Sequence, residues 1–411
     1  MSNQSKVCSG DMFSSLPPEV LYVVFSFCDV YTLGRLSCVC RRLNDLISTS
    51  YLWIHRSKNI LATNQRDRRV LERSRHVLGP VEKCWLSVRW QSQRYEEIVM
   101  LRHFKRFIPW LQLERENVWY SQGASILKFG RSRDGGIKER QIMALCGHAD
   151  DVGRFVCKRG LCISGGSDGS FVIWKSHRGS TLHQRRYCHA KAISSVDYCQ
   201  NTVVTGSRDK TIKIWSLNEK FVSTLASTIR LRDRVCSVAI MEDSQLLLSG
   251  SAGCHGVPPL QAFDLNTQVS TLGARVAMVG GPDHRNGAGV MHVYPESPTQ
   301  LLSCGYDTFV RLWDVRTPDR CVGSWEDPHD STVYCVASDH NVTMLSGTNR
   351  YGVVRLWDKR MVNEVAMFYV GIGNSPVYSV VFDPCYMYVA LDQSFNMLSF
   401  TGSSWVPLAI E

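Results

Sequence analysis

The chain has 411 residues, 44% of them apolar and 20% charged, with a formal net charge of +10. That length is too great for one ordinary compact domain, and the composition excludes a disordered or fibrous chain. The sixteen cysteines include no Cys-x-x-Cys pair and no secretory signal is recognisable. They read as reduced thiols of a cytoplasmic and/or nuclear protein, and no metal or other cofactor is expected.

Residues 1–13 are expected to form a flexible N-terminus. The first helix should open at Leu16-Pro17-Pro18-Glu19, where proline suits the first turn because its missing N–H would be unpaired there anyway. Val20 to Phe27 are apolar except for Ser26, so this helix needs cover on more than one side. The apolar stretch ends at Cys28-Asp29, about half the ~20 residues a membrane span requires, so no membrane role is expected. Leu33, Leu36, Val39, Cys40, Leu43, Leu46 and Ile47 then recur at helical spacing, with Arg35, Arg41, Arg42 and Asp45 opposite, and Leu52-Trp53 closes the segment. About 40 residues rarely bury a sufficient core unaided. Something outside the segment should cover it.

A basic helical connector is expected over residues 57–108. Residues 51–108 hold thirteen basic and five acidic side chains, whereas 1–50 are balanced and 109–411 add only +2. Arg66, Arg68, Arg69, Arg73 and Arg75 precede Trp85, Arg89 and Trp90, a mixture that can grip nucleic acid or an acidic surface. The preferred reading is plainer: the tryptophans pack on a neighbouring domain and the arginines are solvated. No nucleic-acid partner is expected.

From about residue 109 the chain repeats itself. His148, Ser164, Asp168 and Trp174 recur as His189, Thr205, Asp209 and Trp215, each 41 residues on. Trp313-Asp314 and Trp357-Asp358 each end an alternating strand, and Phe263-Asp264 marks a degenerate copy. Markers at 129, 174, 215, 263, 313, 357 and 400 count seven copies, with Val406–Ile410 available as a final outer strand. The period resembles the WD repeat, whose ~40–45 residues make one four-stranded propeller blade.

The run from Leu16 to Trp53 resembles an F-box, and the order of parts resembles the F-box/WD-repeat family over nearly the whole chain. The resemblance implies an all-α F-box at 14–56, the connector, and an all-β seven-bladed propeller at 109–411. It further implies a non-enzymatic substrate-recognition subunit of an SCF-type cullin–RING ubiquitin ligase, or alternatively a scaffold of the same build that does not direct ubiquitination. A Skp-type adaptor would bind Leu16, Pro17, Pro18, Leu21, Phe25, Leu33, Leu36, Val39 and Leu43; cullin and RING subunits would join indirectly, and the propeller would hold a target protein of unknown identity. In phosphodegron-binding relatives an arginine before the blade-turn aspartate helps hold the phosphate, and Arg208 fills that slot here. Their further inner-strand arginines correspond to Gly153, Ser194 and Tyr334, so that cluster is missing.

One constellation mimics an enzyme. His148, Ser164 and Asp168 form a Ser/His/Asp set, but a catalytic triad does not recur at the structural period of a fold. The set reads instead as a hydrogen-bonded network inside each blade.

Overall fold

The computed structural model describes residues 16–254, 258–265, 275–279, 287–317 and 321–402. The expected N-terminal extension, 1–13, and the candidate closing strand Val406–Ile410 lie outside them. Six helices come first: α1 (Pro18–Phe27), α2 (Val30–Ser37), α3 (Arg41–Ser48), α4 (Ser50–Arg56), α5 (Arg68–Arg73) and α6 (Pro80–Gln91). Pro18 sits in the first turn of α1, and the Asp29 carboxylate caps α2 by accepting the Thr32 N–H at 2.6 Å. At the other end of α1 the Arg56 guanidinium donates to the carbonyls of Phe25 and Cys28, both at 2.6 Å, and so satisfies acceptors that a helix end leaves open.

The first four helices enclose a small core of Leu21, Phe25, Leu33, Leu43, Ile47, Leu52 and Trp53, with Cys84 reaching in from α6. Trp85 of the same helix packs edge-on against Tyr31 and lies close over Gly34, where an added Cβ would come within 3.0 Å of the indole. Part of the cover missing from residues 16–53 therefore comes from the chain's own connector.

Twenty-eight strands then form seven antiparallel four-stranded sheets, bearing out the expected all-α module followed by an all-β seven-bladed propeller. Blades 1 to 6 span Leu111–Cys146, Val152–Arg185, Ile193–Arg230, Val235–Val279, Val290–Glu326 and Val333–Tyr369. Each of their aromatic markers sits at a register shift between the third strand and the outer one, as between Ile214 and Trp215 or Leu356 and Trp357. In blade 7, Val377–Ser399, Leu398 faces Met387 as Trp357 faces Met344, so Phe400 lies two residues past the marker slot.

Blade 7 also corrects the expected connector. Its outer strand is Glu96–Arg102 (β1), paired antiparallel with Ser394–Ser399 from Glu96↔Ser399 to Arg102↔Ser394. The stretch reads Glu-Glu-Ile-Val-Met-Leu-Arg, and its β-branched residues suit an edge strand as well as a helix. Which one forms depends on the unpaired edge of blade 7, a non-local partner. The ring is thus closed by a strand that precedes it in the chain.

The remaining connector is fastened to one end of the ring. Trp90 is fully buried: it stacks on Phe400 with centroids 3.7 Å apart, meets Phe368 and Phe382 edge-on, and donates its indole N–H to the Pro384 carbonyl at 2.9 Å. Of Arg66, Arg68, Arg69, Arg73, Arg75 and Arg89, four are bonded to the ring, where free solvation was expected. Arg69 donates to the Glu296 carbonyl, Arg73 to the Ser338 carbonyl while lying over the Phe382 ring, Arg75 to the Ser132 carbonyl, and Arg89 to the Phe400 carbonyl. Guanidinium groups present several donors in a fixed fork, which suits them to carbonyls at strand ends. Arg66 and the Arg68–Glu72 pair are exposed to solvent, as expected. Arg69, Arg73, Arg75 and Arg89, four of the thirteen basic side chains of this segment, thus help hold the two domains together.

Candidate functional site

The helical module presents one apolar surface. In α1, Leu21 and Phe25 face the core, while Val20, Val23, Val24 and Phe27 are exposed, Phe27 at 86% and Val23 at 60%. Positions 20, 23, 24 and 27 follow i, i+3, i+4, i+7, so they form a second apolar stripe on a helix that already has one facing inward. Val39 lies exposed after α2, and Pro17 and Pro18 are exposed at the helix start. Of the nine residues expected to meet the adaptor, Leu21, Phe25, Leu33 and Leu43 are buried in the module's own core, and Leu16 and Leu36 are half-buried. The sequence reasoning missed Val20, Val23, Val24 and Phe27. Their signal was the unbroken apolar run itself, which a one-sided helix does not need.

The second surface is the mouth of the axial channel, at the end of the ring where the inner strands begin. The second residue of each inner strand in blades 2 to 7 lines a cavity of about 300 Å³: Gly153, Ser194, Cys236, Met291, Tyr334 and Tyr378. Arg208 lies on its rim, beside Arg234, which has no counterpart among the sequence expectations. Both are exposed, and no ion pair forms at either among the described residues. Opposite them Tyr334 stacks on Tyr378 at 5.5 Å and 8°, with Tyr306 edge-on to Tyr334 at 6.4 Å. Burial raises the Tyr378 hydroxyl to about 12, so it is a neutral donor at physiological pH. Gly153, Ser194 and Tyr334 do lie where the sequence comparison put them, and none supplies a cation.

The Ser/His/Asp sets are internal braces. His148 Nε2 meets the Ser164 hydroxyl at 2.8 Å, and the Trp174 indole N–H donates to the same oxygen at 3.1 Å. In the next blade His189 meets Thr205 at 2.8 Å and Asp209 at 2.9 Å, and Trp215 donates to Thr205 at 3.0 Å. Ser164 and Thr205 have 0% exposure, so neither oxygen can reach a substrate. In blade 6 the corresponding His329 accepts from the Arg355 guanidinium at 2.7 Å instead of meeting the strand hydroxyl. Arg355 also pairs with the buried Asp327 at 2.6 Å, and the Trp357–Ser346 bond is kept at 2.8 Å. Ser164→Ala is expected to cost about 1–3 kcal/mol, because it orphans a buried indole N–H and an imidazole nitrogen; a denaturant titration reads this directly.

Burial also pushes His148, His189, His292 and His340 below the ordinary histidine value of 6.5, and His340 reaches about 3 with Arg69 and Arg73 adding to the effect. Each stays neutral in the fold and accepts a proton once unfolded, so the unfolded chain binds more protons below about pH 6.5. Stability is complete above that pH and declines as pH falls through it. The denaturant midpoint at about pH 5.5 is therefore expected to lie below that at about pH 7.5; equal midpoints contradict the assignment. Among the described residues no helix is long and apolar enough to cross a membrane, and no three His, Cys, Asp or Glu side chains gather to hold a metal.

Comparison with known proteins matches both ends of this architecture. A family model described as F-box-like matches residues 13–59, and one described as WD domain, G-beta repeat matches 180–216, 281–314 and 319–358. F-box/WD repeat-containing protein 4 of Homo sapiens is 35% identical over 400 residues, 96% of this chain and 95% of its own length. The protein of the same name from Mus musculus is 36% identical over 389 residues, 94% of this chain and 92% of its own. A guanine nucleotide-binding protein subunit beta of Nicotiana plumbaginifolia is 23% identical over 233 residues, 52% of this chain and 57% of its own.

Proposed function

Because the chain belongs to the F-box/WD-repeat family, we propose that it is the target-recognition subunit of an SCF-type cullin–RING ubiquitin ligase. The observation that carries this reading is the exposed stripe Val20, Val23, Val24 and Phe27 on a module whose own core is already filled. A soluble chain gains by covering such a stripe, at about 1.5–3 kcal/mol for each large apolar side chain removed from water. The partner is a Skp-type adaptor, which meets the stripe together with the exposed start at Pro17 and Pro18; cullin and RING subunits follow through it. The target protein sits at the mouth of the ring.

The contribution of the chain is positional. It holds a target near a separate ubiquitin-conjugating enzyme and raises the effective concentration of target lysines there. The fastening of α6 on blade 7 supports this, since a fixed angle between the two docking surfaces keeps the target within reach. Leu16→Ala with Pro17→Ala is expected to abolish co-purification of the adaptor while the propeller stays folded; undiminished capture removes the docking assignment. A scaffold that does not direct ubiquitination differs in one outcome: proteins captured on the ring would gain no ubiquitin in a reconstituted reaction and would not accumulate when the chain is depleted.

A further inference from the structure

The axial channel of the ring is divided. Below the mouth lies a second cavity of about 280 Å³, and Arg154 and Trp110 line both, so they form the partition between them. Arg154 comes from the inner strand of blade 2 and reaches across the axis. Its guanidinium donates to the Ser237 hydroxyl at 2.8 Å in blade 4 and to the Met291 carbonyl at 3.0 Å in blade 5, and it lies 4.2 Å from the Trp110 ring centroid. His292 packs edge-on to Trp110 at 5.1 Å.

This cation has no carboxylate partner among the described residues. The other buried arginines do: Arg131 pairs with Asp383 and Arg355 with Asp327. Burial lowers the Arg154 guanidinium to about 10, which still leaves it charged at neutral pH, and it helps push His292 well below the ordinary value, so the imidazole beside it is neutral. Two of the five guanidinium N–H donors are used by Ser237 and Met291, leaving three for another acceptor. A single uncompensated positive charge therefore faces the axial space, with Arg208 and Arg234 on the rim above it and only Asp151 contributing a carboxylate to that cavity.

The rim has two unlike sides. Blades 3 and 4 supply Arg208 and Arg234; blades 5 to 7 supply Tyr306, Tyr334 and Tyr378, a row of flat rings with polar tips. We propose that the mouth takes an unphosphorylated acidic segment of the target, with one aspartate or glutamate side chain inserted toward Arg154 and an adjoining aromatic or aliphatic residue laid on the tyrosine row. The charge match selects a carboxylate. One buried guanidinium balances one negative charge at the partition. Arg208 and Arg234 of the same cavity are exposed at its rim, and of the cations lining the cavity below, Lys158 is paired with Asp197 and Arg73 is bonded to the Ser338 carbonyl. A phosphate dianion taken to the depth of Arg154 therefore meets no second unpaired cation there. The tyrosine row favours flat apolar groups through ring stacking, and the rim arginines favour acidic neighbours through longer-range attraction.

This inference rests on the reading of the mouth as the target-holding surface, and one experiment separates the two. The full chain, co-purified with a Skp-type adaptor, is immobilised and panned with a displayed library of random peptides. Selected peptides are expected to carry Asp or Glu next to an aromatic or aliphatic residue. Their affinity is expected to fall about tenfold or more for Arg208→Glu/Arg234→Glu, at two exposed side chains, and for Tyr378→Ala, at a half-buried one, where an unchanged denaturant midpoint checks the fold. Arg154→Lys, which keeps the charge but loses the fork, is expected to weaken them as well, and Arg154→Met more strongly. Replacing the selected acidic residue with phosphoserine should not tighten binding. Peptides that are basic, or that bind about tenfold tighter when phosphorylated, overturn the carboxylate assignment and leave the target-holding surface in place. Peptides indifferent to every one of these variants overturn both.

Discussion

Trp90→Ala is expected to lower the free energy of unfolding by about 3–5 kcal/mol, the range for truncating a large buried aromatic. The side chain is fully enclosed between α6 and the adjoining blades 6 and 7, stacked on Phe400 and edge-on to Phe368 of blade 6 and Phe382 of blade 7. Its removal deletes the ring contacts and leaves the Pro384 carbonyl without its indole donor, so a cavity cost and a lost hydrogen bond coincide. The neighbours are strand residues of a closed ring, which collapses poorly into a void. Denaturant unfolding followed by tryptophan fluorescence checks the size of the effect. Hydrogen exchange checks its place: β1 and blade 7 are expected to lose protection more than blades 2 to 5, because β1 is the strand that closes the ring and Trp90 lies just before it in the chain. A loss below about 1 kcal/mol would mean that the junction does not hold the two domains together.

Val23→Asp combined with Phe27→Asp is expected to abolish capture of a Skp-type adaptor, a loss of about a hundredfold or more, with little change in stability. Both side chains are exposed, so replacing them removes nothing from the core centred on Leu21, Phe25 and Trp53. Burying two such residues in an interface stabilises it by about 1.5–3 kcal/mol each, and a charge in their place adds a desolvation cost. Leu21→Asp serves as the contrasting change: it should also lose the adaptor, but by unfolding the module, seen as lost helical signal in circular dichroism. If the exposed pair leaves capture unchanged, the adaptor does not use this face.

The two surfaces were legible to different degrees. The F-box pattern from Leu16 to Trp53 showed that α1 carries more apolar surface than one core can use, but not which half faces outward. That division was set by α3 and α4, against which α1 lays Leu21 and Phe25, with Cys84 of α6 completing the same core. At the mouth, Arg208 could be placed because the blade turn at Ser207-Arg208-Asp209 is local. Arg154 could not, because its role comes from reaching across the axis to Ser237 and Met291, 83 and 137 residues away.

Helix and strand patterning, the repeat period and the braces of His148 and His189 are properties of short segments, governed by dihedral preference and alternation over a few residues, and they were present in the order of amino acids. Seven blades could be counted on that basis because each repeat offers a tryptophan or phenylalanine near its third strand's end, although the one read for blade 7, Phe400, lies two residues past the slot that Leu398 fills. The closure of the ring is of another kind. Glu96–Arg102 has no marker, and it becomes a strand only because Ser394–Ser399 offers an unpaired edge nearly 300 residues later in the chain. The same holds for the connector arginines, which look solvated in one dimension and become fasteners once strand-end carbonyls stand opposite them. Hydrogen bonds and burial between distant segments depend on which surfaces folding brings together, and that pairing decided how the docking end is fixed to the ring.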